Sequence, residues 1–297
     1  MIIGIVPNTA KENITGVVAL FAKRLRENGF DFVISNNFKP DKHETTGELE
    51  HATYLEPEEL YQQSDMIASI GGDGTMLHTA FQARHSDTPI LGVNFGKLGF
   101  LAEFEMSRLD IFLQEIKNGE YSIEERMVLE GICSVCENKN LFAINDIVID
   151  KGGWPKMIDL SLRVDDDYVT TFAADGLILA TPTGSTGYSL STGGPIVTPL
   201  ADVITMSPIS PHSLTMRPLV LASTHKIHIN VSSMHTTVQI NCDGQRVYSY
   251  KPPLDIVVYK SPQKIKLVHT FSTNYFKTLR EKLFWGMDIR KPGAFKS

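Results

Sequence analysis

An aspartate set among glycines is the first feature of this chain that could do chemistry. Gly71-Gly72-Asp73-Gly74-Thr75 follows the apolar run Met66-Ile67-Ala68-Ser69-Ile70. Glycines at a strand end let backbone N–H groups come close to a phosphate, and a carboxylate between them would repel that anion unless it accepts a proton or holds a metal. A second glycine-rich turn, Thr181-Pro182-Thr183-Gly184-Ser185-Thr186-Gly187-Tyr188-Ser189-Leu190-Ser191, follows the apolar run Leu177–Ala180. Its hydroxyls and amides are neutral donors suited to ribose hydroxyls and phosphate oxygens, and Tyr188 offers an aromatic face on which a base could stack. Together the turns suggest phosphoryl transfer, with Gly71, Gly72, Gly74 and Thr75 as the phosphate-binding turn.

Commoner motifs are absent. The P-loop spacing Gly-x-x-x-x-Gly-Lys-Ser/Thr does not occur, nor does the Gly-x-Gly-x-x-Gly dinucleotide fingerprint between a strand and a helix. Ser185 does not stand in the Gly-x-Ser-x-Gly spacing of a hydrolase elbow. Cys133 and Cys136 have redox or zinc spacing, but no second pair follows, Cys242 is far along the chain, and the neighbouring Ile132 and Val135 read as a strand. Asp165-Asp166-Asp167, between two alternating runs, reads as a solvated hairpin turn.

These turns need elements to hold them. From residue 1 to about 118 strands alternate with helices: Ile2–Val6, then Ile14–Asn28 ended by Gly29, Phe32–Ile34, Asp65–Ile70, a helix after Thr75, Ile90–Val93, and an amphipathic helix over Asp110–Asn118. That pattern predicts an α/β N-terminal domain, a Rossmann-like parallel sheet, in which ligands bind beyond the carboxyl ends of the strands. Gly71–Thr75 and the loop Asn94–Gly99 both fall there. Ser35–Pro57 is polar and weakly patterned and reads as a mobile loop. From about 119 to 271 the runs shorten to strand length: Phe142–Ile149, Leu160–Val164, Leu177–Ala180, Lys226–Val231, Val238–Cys242, Ile256–Tyr259 and Lys264–Val268. This part is expected to be an all-β, sandwich-like C-terminal domain. Tyr275–Trp285 returns to helical spacing, so the segment 272–297 is expected to complete the first domain or to meet a neighbouring subunit.

Composition bounds the partners. With 28 basic residues against 34 acidic ones the net charge is −6, which argues against a broad nucleic-acid or membrane surface. The 297 residues are near the size at which one core becomes two domains. Met1-Ile2-Ile3-Gly4-Ile5-Val6 lacks a basic leader and stops at Pro7, and no run of eighteen apolar residues occurs, so a cytoplasmic protein is expected.

Gly71-Gly72-Asp73-Gly74-Thr75, the run Gly92-Val93-Asn94-Phe95-Gly96-Lys97-Leu98-Gly99-Phe100-Leu101, the pair Asn145-Asp146, Thr181–Pro195 and Asp243-Gly244-Gln245 resemble, in order and spacing, the NAD kinase family. The resemblance spans most of the chain. Diacylglycerol and sphingosine kinases and phosphofructokinases share the first motif, but the combination is specific. A lipid kinase would be expected to show an apolar acceptor channel or a membrane-binding face, and neither is evident.

The resemblance implies a two-domain enzyme that binds NAD between its domains and phosphorylates the 2′-hydroxyl of the adenosine ribose to give NADP, as a homo-oligomer, dimer or tetramer. It implies ATP as donor, with polyphosphate left open, and a divalent metal, Mg²⁺. Asp73 would accept the proton of the hydroxyl and Gly74 would contact the ligand. Asn145 and Asp146 would hold the ribose, with Asp175, Thr186, Gly187, Tyr188, Ser189, Leu190, Ser191 and Gln245 completing the site. His78 and Lys156 fall where the family often has a polar or basic ligand contact, and Ala173 and Ser210 at less constant contact positions.

One departure stands out. The family pairs asparagine with glutamate where this chain has Asp146, which reaches about one C–C bond less far. Adjacent residues on a regular strand also point to opposite faces, so Asn145 and Asp146 can serve one ligand only if the chain bulges or turns there.

Overall fold

The structure is a computed structural model that describes residues 1–38, 40, 47–94, 96, 99–135, 141–234, 236–271 and 274–284. It divides into two units, Met1–Glu124 with the chain from Lys266 onward, and Glu125–Ile265.

The first unit runs β1 (Ile2–Pro7), α1 (Ile14–Glu27), β2 (Asp31–Ser35), β3 (Thr53–Leu55), α2 (Pro57–Gln63), β4 (Met66–Ile70), α3 (Asp73–Gln82), β5 (Ile90–Asn94), β6 (Phe104–Glu105) and α4 (Leu109–Lys117). The sheet is parallel, with β1 between β2 and β4, β3 outside β2, and β5 beyond β4. Every residue of β4 and β5 is buried. That explains why they read as unbroken apolar runs rather than alternating ones. In α1, Ile14, Val18, Phe21, Ala22 and Leu25 face inward, and in α4 Leu109, Phe112, Leu113 and Ile116 do so, the three-and-four spacing of a one-sided helix. Both stripes join Ile3, Ile5, Ala68, Ile70 and Val93 in one core. Ser35–Pro57, expected as a loop, carries β3, a short edge strand whose cue is only the three residues Thr53-Tyr54-Leu55.

The second unit comprises β7 (Tyr121–Cys133), β8 (Leu141–Ala143), β9 (Asp146–Asp150), β10 (Ile158–Val164), β11 (Asp167–Ala174), β12 (Gly176–Ala180), α5 (Tyr188–Ser191), β13 (Val203–Ile209), β14 (Leu219–Ala222), β15 (Ile227–Ser232), β16 (Val238–Cys242), β17 (Arg246–Tyr250) and most of β18 (Leu254–Thr270). One antiparallel sheet has the order β14-β13-β12-β9-β16-β17. The other strands pair as β11-β10-β15-β18, with β7 joining β18 to β8. Alternate residues of both layers, Ile147, Ile149, Leu177 and Leu179 from one and Leu160, Leu162, Ile229 and Ile256 from the other, meet in a common core. That is a sandwich. The first unit is completed by the last turns of chain: Leu267 of β18 pairs parallel with Ile90 of β5, and α6 (Tyr275–Leu283) follows.

Three expectations about elements need correction. Ile256–Tyr259 and Lys264–Val268 are not separate strands but parts of β18. Pro262 is accommodated because Ser261 Oγ accepts the Gln263 N–H at 3.0 Å and donates to Glu130 Oε1 at 2.6 Å. The run Phe142–Ile149 is interrupted by a bend at Ile144-Asn145. α6 ends at Leu283, and Trp285 lies outside the described residues.

Candidate functional site

Asp73 is the first residue of α3 and directly follows the glycines that close β4. Its carboxylate is taken up by donors on both oxygens. Oδ1 accepts the N–H groups of Leu101 at 2.9 Å and Ala102 at 3.1 Å, and Oδ2 accepts the Phe100 N–H at 2.9 Å. The fourth donor is the Lys282 ammonium of α6, 3.4 Å from Oδ2. Each carboxylate oxygen has two lone pairs, so the in-plane acceptor positions are filled. The loop that supplies the amides is braced: Gly99 N–H donates to Ala102 C=O at 3.1 Å. Gly99 has to be a glycine, since a Cβ there would lie 1.9 Å from Asp73 Oδ1. Thr75 Oγ1 accepts from Asn8 Nδ2 at 3.1 Å, tying the glycine turn to the end of β1. On α3, Met76, Leu77, Thr79 and Ala80 are buried while His78 is exposed.

The pair Asn145-Asp146 is organised by a third acid. Asp243-Gly244-Gln245 is the three-residue loop of the β16–β17 hairpin, whose register pairs Cys242 with Arg246; φ is 58° at Asp243 and 68° at Gly244, and Gln245 N–H donates to Cys242 C=O at 3.1 Å. Asp243 Oδ1 accepts the N–H groups of Ile144 at 2.9 Å, Asn145 at 2.7 Å and Asp146 at 3.3 Å. Its Oδ2 is paired with Arg246 Nη2 at 2.8 Å, which also donates to Phe142 C=O at 2.8 Å. Successive amides of a straight strand point to opposite sides, so gathering three of them on one oxygen bends the chain. As a result Asn145 sits ahead of β9 rather than in it, and the two side chains converge: a Cβ built on Gly187 would be 3.8 Å from Asn145 Nδ2 and 3.8 Å from Asp146 Oδ2. The second glycine-rich turn is packed against the same bend. Thr181 Oγ1 donates to Ile144 C=O at 2.6 Å, Thr181 N–H donates to Asn145 C=O at 2.8 Å, and a Cβ on Gly184 would lie 2.1 Å from that carbonyl.

Electrostatics separate the acids here. Burial, reinforced by the negative charge of Asp243, pushes the Asp146 carboxyl up to about 7. Burial also raises Asp243, against the pull of the Asn145 and Ile144 amides and of Arg246. Asn145 Oδ1 is buried with no hydrogen-bond partner, an acceptor that fits a ligand donor such as a ribose hydroxyl.

The remaining expected residues fall into three groups. Ala173, Asp175 and Ser210 lie together where β11 passes into β12 beside the end of β13: Asp175 N–H donates to Ile209 C=O at 3.0 Å, and His212 N–H donates to Ala173 C=O at 2.9 Å. Lys151 Nζ is 2.6 Å from Asp175 Oδ1. In the α5 turn, Thr186 Oγ1 donates to Thr183 C=O at 3.3 Å and Ser191 Oγ to Tyr188 C=O at 2.7 Å, while the buried Ser189 Oγ bonds Ser207 Oγ at 3.1 Å and so serves the fold. Gly187, Tyr188 and Ser191 are exposed and Leu190 is half-buried, whereas Lys156 and Gln245 are exposed on other surface turns. Cys133 is a buried free thiol, and Cys136 lies outside the described residues. Among the described residues no three His, Cys, Asp or Glu converge as metal ligands, and no helix is long and apolar enough to cross a membrane.

Comparison with known proteins decides the family. The ATP-NAD kinase N-terminal domain profile matches residues 3–121 and the ATP-NAD kinase C-terminal domain profile matches residues 144–270. The chain belongs to the NAD kinase family. An NAD kinase of Chlorobium phaeovibrioides is 38% identical over 290 residues, 97% of this chain and 100% of that one. Among solved structures, yeast NADH kinase complexed with NADH aligns with a TM-score of 0.86 at 25% identity, over 98% of this chain and 89% of that one. An NAD kinase from Archaeoglobus fulgidus in complex with ATP aligns with a TM-score of 0.74 at 26% identity, over 96% and 99%.

Within this NAD kinase fold three residues carry parts of the geometry that sequence reasoning did not assign. Gly99 makes room for Asp73, Asp243 bends the chain at Asn145, and Lys282 reaches Asp73 from α6. Only Asp243 left a usable signal, as the Asp-Gly of a hairpin between two alternating strands.

Proposed function

We propose that this chain transfers the γ-phosphoryl group of ATP to the 2′-hydroxyl of the adenosine ribose of NAD, giving NADP and ADP. The observation that carries the reading is the convergence of Asn145 and Asp146 on the space over Gly187, which a regular strand would not permit. A carboxylate and an amide side by side match a ribose, whose neighbouring hydroxyls need both acceptors and donors. Asp73 accepts the proton as the hydroxyl oxygen bonds to phosphorus, and the glycine turn Gly71, Gly72, Gly74 and Thr75 lies at the phosphates, although the N–H groups of Gly71 and Thr75 are already given to Val93 C=O at 2.9 Å and Gly72 C=O at 2.9 Å. Asp175, Thr186, Gly187, Tyr188, Leu190, Ser191 and Gln245 line the dinucleotide, with Ser189 holding the turn from beneath, Tyr188 under the base, and Ala173, Ser210, His78 and Lys156 at the periphery.

A divalent ion, Mg²⁺, belongs to this reading as the partner of the donor's phosphates. The Asp73 carboxylate, with its oxygens occupied by N–H donors, does not fit a metal ligand in this arrangement. The ion therefore travels with ATP. The reading includes a cytoplasmic homo-oligomer, and the buried free thiols Cys133 and Cys242 suit a reducing compartment.

The test is a coupled assay for NADP⁺ formed from NAD⁺ with ATP·Mg²⁺. Turnover is expected. A folded protein that binds NAD yet forms no NADP⁺ from ATP or from polyphosphate would overturn the reading.

A further inference from the structure

The four donors on Asp73 are unequal. Three are amides of a loop held against β5, where a Cβ on Gly92 would lie 2.6 Å from Ala102 Cα, so that backbone has little room to withdraw. The fourth, Lys282, is a single long side chain at 3.4 Å, beyond the 2.7–2.9 Å of a strong ammonium–carboxylate bond. Its ammonium also lies 4.7 Å from the centroid of the Phe100 ring, whose backbone N–H donates to the same Oδ2. The lysine is thus parked between an acid and an aromatic face, and it is the donor that can leave.

An acceptor hydroxyl must occupy a lone pair of Asp73 before it can hand over its proton. We propose that Lys282 is a further catalytic residue. In the resting chain it keeps the place on Asp73 Oδ2 that the acceptor hydroxyl takes, and once displaced it donates to the oxygens of the phosphoryl group in flight. Distances make this consistent, because the reacting phosphorus must stand roughly 3–3.5 Å from the acceptor oxygen and that oxygen within about 3 Å of Asp73. An ammonium leaving Oδ2 on a flexible four-carbon stem is therefore already beside the reacting group. In the step, the acceptor oxygen–phosphorus bond forms and the phosphorus–oxygen bond to ADP breaks. ADP leaves with the electron pair and the hydroxyl proton goes to Asp73 Oδ2. Lys282 supplies the cation that a P-loop lysine supplies elsewhere, from the C-terminal helix instead of the phosphate turn.

The inference rests on Asp73 being the base, and the experiment keeps the two apart. Lys282→Met and Lys282→Arg are measured in the full chain for kcat, for the dissociation constant of NAD and for thermal stability, alongside Asp73→Asn. Lys282→Met is expected to lower kcat by about 10²–10³, the range for one lost donor to developing charge, while NAD affinity changes less than threefold. Lys282→Arg, which keeps the charge, is expected to recover at least a tenth of the lost activity. A Met variant within threefold of the parent kcat would overturn the role of Lys282, and so would an Arg variant as slow as the Met one. Near-parent kcat in Asp73→Asn would instead overturn the base assignment. Should Lys282→Met fail to fold, Lys282→Gln carries the same comparison.

Discussion

Asp73 and Asp146 are both acids beside glycine-rich turns, and the chain surrounds them in opposite ways. Asp73, in the first unit, is half-exposed and carries three amides and an ammonium on its oxygens. Asp146, in the second, is buried with a second acid, Asp243, beside it, and its own carboxyl is pushed up to about 7. The amides that organise the second region are spent on Asp243 instead. Donors on both oxygens fix the Asp73 carboxylate in one orientation, and one of them must leave before a hydroxyl can hand over its proton. Burial without donors leaves an acid whose charge responds to what binds it.

The sharpest way to break this comparison is to make Asp73 unable to accept a proton. Asp73→Asn keeps the size of the side chain, so kcat is expected to fall by roughly 10²–10⁴ while NAD affinity changes little. Steady-state kinetics with direct NAD titration checks this. If Asp73 only shaped the turn, asparagine would serve nearly as well and kcat would survive. A loss tracking a weakened Mg²⁺ dependence would point to a metal ligand instead.

Asp243→Ala tests the other side at the level of the fold. The carboxylate is fully buried and paired with Arg246, and its loss takes one partner from that guanidinium, which keeps Phe142 C=O, and the acceptor from the amides of Ile144, Asn145 and Asp146. Breaking a buried pair in this way costs about 3–5 kcal/mol, read as a drop in denaturant midpoint. A variant of parent stability would show that the bend does not depend on Asp243.

Much of this contrast was invisible in the sequence for physical reasons. The parallel sheet is legible because β4 and β5 are buried on every residue, and the sandwich because Leu160 and Leu162 alternate with less buried residues in β10, whereas β12 is buried at every position and reads only as an apolar run. The glycine turns announced themselves by composition. Lys282 did not, since it is 209 positions from Asp73 and nothing local to a helical lysine says which loop it touches. β18 is two runs in the sequence, Ile256–Tyr259 and Lys264–Val268, and the contact of Ser261 with Glu130 is a long-range one that neither run carries. The bend at Asn145 follows from the demand that Asn145 and Asp146 serve one ligand, but its cause, an acid nearly a hundred residues later, leaves no local signal.

Asn145→Ala probes the grip at a smaller scale. Loss of one buried hydrogen-bonding side chain is expected to weaken NAD binding by about 1–3 kcal/mol, with ATP affinity less affected. Isothermal titration of each ligand separates the two. Equal loss for both would move Asn145 out of the acceptor site.

The smallest effect is the one that belongs to Asp146 alone. Ribose hydroxyls donate to a carboxylate, so the ionised form binds NAD, and affinity should rise as pH increases through about 7. If only that form binds, NAD affinity falls by about tenfold for each pH unit below the transition. The fold responds with the opposite sign. The folded-state value lies above the ordinary 3.8, so between about 4 and 7 the folded chain holds a proton that the unfolded chain has lost. Stability from this group is full below the unfolded value and is lost as pH rises through 7. Raising the pH from 6 to 8 should therefore tighten NAD binding while slightly lowering the melting temperature of the free protein, and Asp146→Asn should abolish both slopes. Parent NAD affinity that is flat over that range would show that Asp146 is either ionised throughout or not in contact with the ribose, and the contrast with Asp73 would then rest on donors alone.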